Sequence, residues 1–148
     1  MENTPLTQGK IHTAKGVLSF ELYDDAAPIA AANFKKLVNQ GFYNGLKFHR
    51  VIPNFMVQGG CPDGTGAGGP GYTIQCETKG LKQTHDRGVM SMAHRGPNTG
   101  GSQFFICHNR QGTQHLDGVH TCFGRITDGL DLVDEVRGGD IMDKVEII

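Results

Sequence analysis

Apolar Leu18, Phe20 and Leu22 alternate with Ser19 and Glu21, the period-two signature of a half-buried strand. Short runs rich in β-branched and aromatic residues recur at 48–52, 55–58, 89–94, 103–107, 121–126 and 144–148, and each predicts another strand. Only two segments carry helical spacing. The first, 26–40, places Ala30, Phe34, Leu37 and Val38 on one face. It has Asp24 and Asp25 at its positive end, Pro28 in its first turn and Gly41 as its C′ residue. The second, 130–137, turns Val133 and Val136 inward and ends at Gly138. Asn44-Gly45, Asp63-Gly64, Asp117-Gly118, Asp128-Gly129 and Gly138-Gly139 mark turns. No linker, repeat or charge block divides the chain, so a single domain over residues 1–148 is expected. Strands that do not alternate with the two helices predict a mainly antiparallel β sheet or barrel.

Composition agrees with that picture. The chain has 22 glycines in 148 residues, twice the ~7% of average chains, as many short strands joined by tight turns require. Lys and Arg total 14 against 15 for Asp and Glu, a balance that argues against a nucleic-acid or anionic-lipid partner held by bulk charge. No apolar run is long enough to span a bilayer, and the first residues have neither a basic nor an apolar leader region. A soluble, cytoplasmic, monomeric domain is the expectation. Cys61, Cys76, Cys107 and Cys122 are widely spaced, which in such a compartment predicts reduced thiols rather than disulfides, a zinc ribbon or a thioredoxin-type site.

Most familiar catalytic devices fail on inspection. Gly64-Thr-Gly66-Ala-Gly68-Gly69 fits G-x-G-x-x-G in letters, but Pro70-Gly71 follows where a phosphate-binding helix would have to start, so a structural loop is expected. His108, His115 and His120 with His49 invite a metal reading. However, Asp117-Gly118 breaks the helical face that two ligands would share, so no metal is assigned. There is no G-x-S-x-G, and Ser91 and Ser102 show no recognisable Ser-His-Asp order. Two strands stand out instead. On one, Met56 and Gln58 share a face; on the other, Phe104 and Ile106 enter a core and leave Gln103 and Phe105 opposite. Two glutamines beside large apolar groups would suit an apolar ligand groove rimmed by amides and Arg50, while two ordinary strands with scattered exposed apolar groups are the plain alternative.

Three blocks decide between them: Phe48-His-Arg-Val-Ile-Pro-x-Phe-Met-Val-Gln-Gly-Gly60, Ser91-Met-Ala-x-x-Gly-Pro-Asn-Thr-x-Gly-Ser-Gln-Phe-Phe-Ile106, and Leu116-Asp-Gly-x-His120 with Phe123-Gly124. Together they strongly resemble the cyclophilins, peptidyl-prolyl cis–trans isomerases, in order from about Gly16 to Val136. The resemblance implies a closed eight-stranded antiparallel β-barrel capped by two α-helices. It places catalytic roles on Arg50, Gln58 and Phe55, and substrate contacts on His49, Met56, Ala93, His94, Gln103, Phe105, His115, Leu116 and His120. It implies no cofactor. The expected partners are proline-containing peptides and unfolded or partly folded proteins, with no nucleic acid or membrane partner. Three departures accompany it: His115 stands where many members have tryptophan, His94-Arg95 replaces the commoner Asn-Ala, and the end after Val136 is short. The first implies reduced affinity for cyclosporin.

An X-Pro bond rotates slowly because amide resonance must be broken, at a barrier of ~18–20 kcal/mol. Nothing covalent changes, so the catalyst has only to bind the twisted amide better than either planar form. The role implied for Arg50 is to donate a hydrogen bond to the prolyl nitrogen once it regains its lone pair, with Gln58 fixing the guanidinium. A non-catalytic proline-peptide module is the alternative for the same pocket.

Overall fold

The computed structural model describes residues 6–148. Its strands are β1 (Gln8–Thr13), β2 (Gly16–Leu22), β3 (Arg50–Ile52), β4 (Met56–Gly59), β5 (Val89–Met92), β6 (Phe104–Cys107), β7 (Cys122–Asp128) and β8 (Lys144–Ile147). They form one antiparallel sheet in the order β3-β4-β6-β5-β7-β2-β1-β8. The alternation read at 18–22 is realised in β2, where Leu18, Phe20 and Leu22 are buried. β1 escapes the pattern because Ile11 is its sole buried side chain with apolar character.

The fold is mainly β, and the sheet curls into a half-barrel rather than a closed barrel. No ladder joins its outer strands β3 and β8 among the described residues. The irregular segments leading into those strands meet instead. Gly45 N donates to Met142 O (2.7 Å), Met142 N to Leu46 O (2.8 Å), Phe48 N to Asp140 O (2.8 Å) and Gly139 N to Phe48 O (2.9 Å). A single bridge, Lys47 to Ile141, completes this seam. Short β3 and the turns around Gly138-Gly139 leave too little extended chain for a continuous ladder.

Among the described residues three α-helices, not two, accompany the sheet: α1 (Pro28–Asn39), α2 (Arg110–Thr113) and α3 (Leu130–Val133). Helix α1 buries Ala30, Ala31, Phe34, Leu37 and Val38. Phe34 packs against Phe20, Tyr43, Phe104 and Phe123, with ring centroids 5.6, 4.9, 5.4 and 5.1 Å away, an edge-rich cluster that forms the centre of the core. The helix ends as its sequence predicts. Gly41 takes φ 74°, its N–H donates to Val38 O, and Phe42 N donates to Leu37 O, both at 3.0 Å, a Schellman motif.

Its other end differs from expectation. Asp24 and Asp25 lie before the first turn and bond elsewhere: Asp24 accepts from Thr7, and Asp25 from Lys82 and Ala26 N. The free N–H groups of Ile29 and Ala30 donate instead to Glu77, at 3.1 and 2.8 Å. A carboxylate from a distant loop therefore serves as the cap and faces the positive helix end.

Candidate active site

Strand register builds the site before any loop does. Arg50 lies opposite Gln58, Gln58 opposite Phe105, and Phe105 opposite Ser91. These four residues form one row across β3, β4, β6 and β5, and residues directly paired across strands share a face. The other face carries Val57, Phe104, Ile106, Met90 and Met92 into the core with α1. The row therefore points away from α1, toward a cavity of about 750 Å³ lined by His49, Arg50, Phe55, Met56, Gln58, Ala93, His94, Gln103, Phe105, Leu116 and His120, with the 65–73 loop.

The structure thus brings eleven of the twelve expected site residues to one opening. His115 is outside its lining but stacks on Phe55, ring centroids 5.9 Å apart at 25°. Phe55 itself follows a tight turn in which Phe55 N donates to Ile52 O at 3.1 Å. Pro53 precedes Asn54 at φ 61°, the type II arrangement.

The two glutamines form a fixed pair. Gln103 Nε2 donates to both Gly66 O and Gly68 O at 2.9 Å, and its Oε1 accepts from Gln58 Nε2 at 3.0 Å. Gln58 therefore bonds Gln103 and not Arg50, contrary to expectation. The guanidinium of Arg50 has neither a hydrogen bond nor a carboxylate within salt-bridge range among the described residues. Its donors are free to meet a ligand.

The glycine loop works in the opposite sense to a phosphate cradle. Its carbonyls face Gln103, while the N–H groups of Gly66 and Gly68 turn to Cys61 Sγ, each at 3.3 Å. Burial acts to raise the Cys61 thiol, but these N–H groups, with those of Asp63 and Thr65, outweigh it and hold the thiol below its ordinary range. All four cysteines are free thiols, and burial pushes Cys107 up to about 12.

His49, His108, His115 and His120 do not come together as one cluster among the described residues. His120 Nδ1 lies 2.9 Å from Met92 O, its ring stands edge-on to Phe105, and His94 stacks on it with centroids 4.1 Å apart. Burial, with the neighbouring His94, holds His120 below the usual histidine range despite the Met92 bond. His49 is lowered by burial and by the charges of Lys47 and Arg50, and its Nδ1 is buried without a hydrogen-bond partner among the described residues. His108 lies at a different, smaller cavity.

One constellation escaped the sequence. His85 Nε2 is 2.8 Å from Ser91 Oγ, and His85 Nδ1 is 2.9 Å from Asp117 Oδ1. That spacing is that of a hydrolytic triad, but His85 and Ser91 are both 0% exposed and Ser91 Oγ also reaches Thr121 O at 3.1 Å. No substrate can approach that hydroxyl. His85 lies parallel to Phe105 at 5.9 Å, so the trio backs the cavity floor. Burial keeps His85 low in spite of Asp117. Although burial opposes it, hydrogen bonds from Arg110 and His85 draw the Asp117 carboxyl down to about 2.

A curled eight-stranded sheet with a pocket on the face turned away from α1, beside the unpaired Arg50, agrees with the cyclophilin resemblance of the sequence. The chain belongs to that family: residues 9–147 match the cyclophilin type peptidyl-prolyl cis-trans isomerase family, and the protein is an enzyme of this class. It is 59% identical over 130 residues to peptidyl-prolyl cis-trans isomerase B of Bacillus subtilis, covering 88% of this chain and 90% of that protein. A Synechococcus elongatus peptidyl-prolyl cis-trans isomerase is 54% identical over 145 residues, 97% of each chain. The crystal structure of a Cryptosporidium parvum cyclophilin type isomerase superposes with a TM-score of 0.86 at 35% identity, covering 96% of this chain and 98% of that one. The same isomerase was also solved in the presence of the dipeptide Ala-Pro.

Proposed function

We propose that this isomerase turns over X-Pro bonds by donating a hydrogen bond from Arg50 to the prolyl nitrogen of the twisted amide, and that its substrates are unfolded or partly folded proteins of the cytoplasm. The observation that carries this reading is the unpartnered Arg50 guanidinium beside the Phe55, Met56, Phe105 and Leu116 wall. A planar amide nitrogen has no lone pair to offer; a pyramidal one does, so the bond strengthens as conjugation is lost. Apolar walls limit water and raise the worth of that interaction. The wall holds the proline ring while the preceding carbonyl swings. Gln58, with its Nε2 committed to Gln103, keeps Oε1 available to accept an N–H from the bound peptide. The Ala-Pro dipeptide used with the Cryptosporidium relative supports a proline-sized ligand here. Exchange spectroscopy on an X-Pro peptide tests the reading: wild type must accelerate cis–trans exchange, and Arg50→Ala must lose most of that acceleration while still binding the peptide.

A further inference from the structure

Three of the chain's exposed arginines are neutralised by carboxylates: Arg87 by Asp134, Arg110 by Asp117 and Arg125 by Glu21. Arg50 and Arg95, which both line the large cavity, have no such partner among the described residues. Among the described residues, no aspartate or glutamate lines that cavity. Asp63, on the same loop, sits behind Gly68 rather than in the opening, and Lys47 adds positive charge beside His49.

Arg95 is held at the rim by its backbone. Its N–H donates to Thr99 Oγ1 at 3.1 Å, and Thr99 Oγ1 donates to Gly96 O at 2.8 Å. Asn98 ties the same turn to Cys76 through Cys76 N at 2.8 Å. The side chain then crosses the mouth of the cavity. Its Nη2 ends 3.5 Å from Gly66 O, the oxygen that also receives Gln103 Nε2 at 2.9 Å. A guanidinium resting on one distant carbonyl keeps most of its donors open, and a carboxylate is its best-matched bidentate acceptor.

Resting on the isomerase reading above, we propose that Arg95 selects substrates carrying an aspartate or glutamate within two residues of the proline. Arg95 and Gln103 converge on one oxygen, so a side chain close to the bound proline reaches the guanidinium. A lysine there faces two unneutralised cations and is disfavoured. The interaction is exposed, so its size is that of a surface ion pair, at most about fivefold in kcat/KM at low salt, and it fades as salt is added.

The test is a set of single-proline peptides with Glu, Gln or Lys placed in turn at the two positions before and the two after the proline. Exchange spectroscopy gives kcat/KM without a coupling protease. At one position at least, wild type turns over Glu fastest and Lys slowest. Arg95→Lys keeps that order, Arg95→Ala weakens it to what Arg50 supplies, and Arg95→Glu abolishes or reverses it, while the Gln peptides are turned over by all four proteins. Equal turnover of Glu and Lys peptides at every position, or a preference unchanged in Arg95→Glu, overturns the proposal. If even the Gln peptides are not turned over, the isomerase reading itself fails. Chemical-shift titration of the Glu and Lys peptides then still decides the charge preference.

Discussion

Arg50 and His115 differ in how their surroundings constrain them. Arg50 projects from an edge strand with no protein partner among the described residues, so its replacement removes an interaction reserved for the ligand. Arg50→Ala is expected to lower kcat/KM by ~10²-fold, with a smaller loss of peptide affinity, because the bond forms mainly in the twisted state. Arg50→Lys rescues poorly, since an ammonium lacks the planar fork; near-normal turnover in either variant refutes the role given to Arg50. His115 is exposed and stacked on Phe55. An indole there offers more apolar area and one N–H, so His115→Trp is expected to tighten cyclosporin by about 1–3 kcal/mol. Titrating wild type and variant side by side checks this, and equal affinities refute it.

Among the elements, α1 shows most clearly how local and distant signals combine. Pro28 at its start and Gly41 past its end are local, and they bound the helix as their backbone preferences require. The remaining free N–H groups are met by Glu77, 48 residues from Ile29 in sequence. Glu77→Ala leaves Ile29 and Ala30 without that acceptor and removes a charge from the positive helix end. The expected cost is ~1 kcal/mol, the size of a lost N-cap, read as a lower midpoint in denaturant unfolding with an unchanged slope. An unchanged midpoint would show that water replaces the carboxylate at no cost.

For the whole molecule, pH acts in part through the His85–Ser91–Asp117 trio behind Phe105, while His49 and His120, also held low by burial, act in the same direction as His85. His85 is held low by burial, so the unfolded chain takes up a proton before the folded one does. The stability this represents is complete above the unfolded histidine value of ~6.5 and declines as pH falls below it. Asp117, drawn down to about 2, adds stability that is complete above ~3.9 and is lost as pH falls toward that folded value. Tm is therefore expected to fall in two stages, below pH ~6.5 and again below ~4. His85→Gln is expected to cost about 1–3 kcal/mol at neutral pH through broken buried hydrogen bonds, to shrink the first stage to the share of His49 and His120, and to narrow the second, because Asp117 loses a hydrogen bond that draws it down. Thermal scans across this range check both points; a first stage of unchanged size in His85→Gln rules out His85 as its source.

Local pattern determined much of this protein. Period-two alternation marked β2, and the runs at 89–94, 103–107 and 121–126 marked β5, β6 and β7, because a strand's side chains report which face is buried. The same rule separated Phe104 and Ile106 from Gln103 and Phe105 before any neighbour was known. Two long motif blocks and a shorter third then pointed to the cyclophilin family and to the residues of which all but His115 line one cavity. Tertiary structure decided what alternation cannot encode, namely which strands become neighbours. Only the order β3-β4-β6-β5 sets Arg50, Gln58, Phe105 and Ser91 in one row. Likewise the Glu77 cap, the His85–Ser91–Asp117 trio and the Gln58–Gln103 bond join groups far apart in the chain. Such pairings have no period, and folding alone brings their atoms within hydrogen-bond distance. The open sheet follows for the same reason: whether β3 meets β8 depends on accumulated curl and on the seam at 45–48 and 139–142, not on the strength of either strand's own pattern.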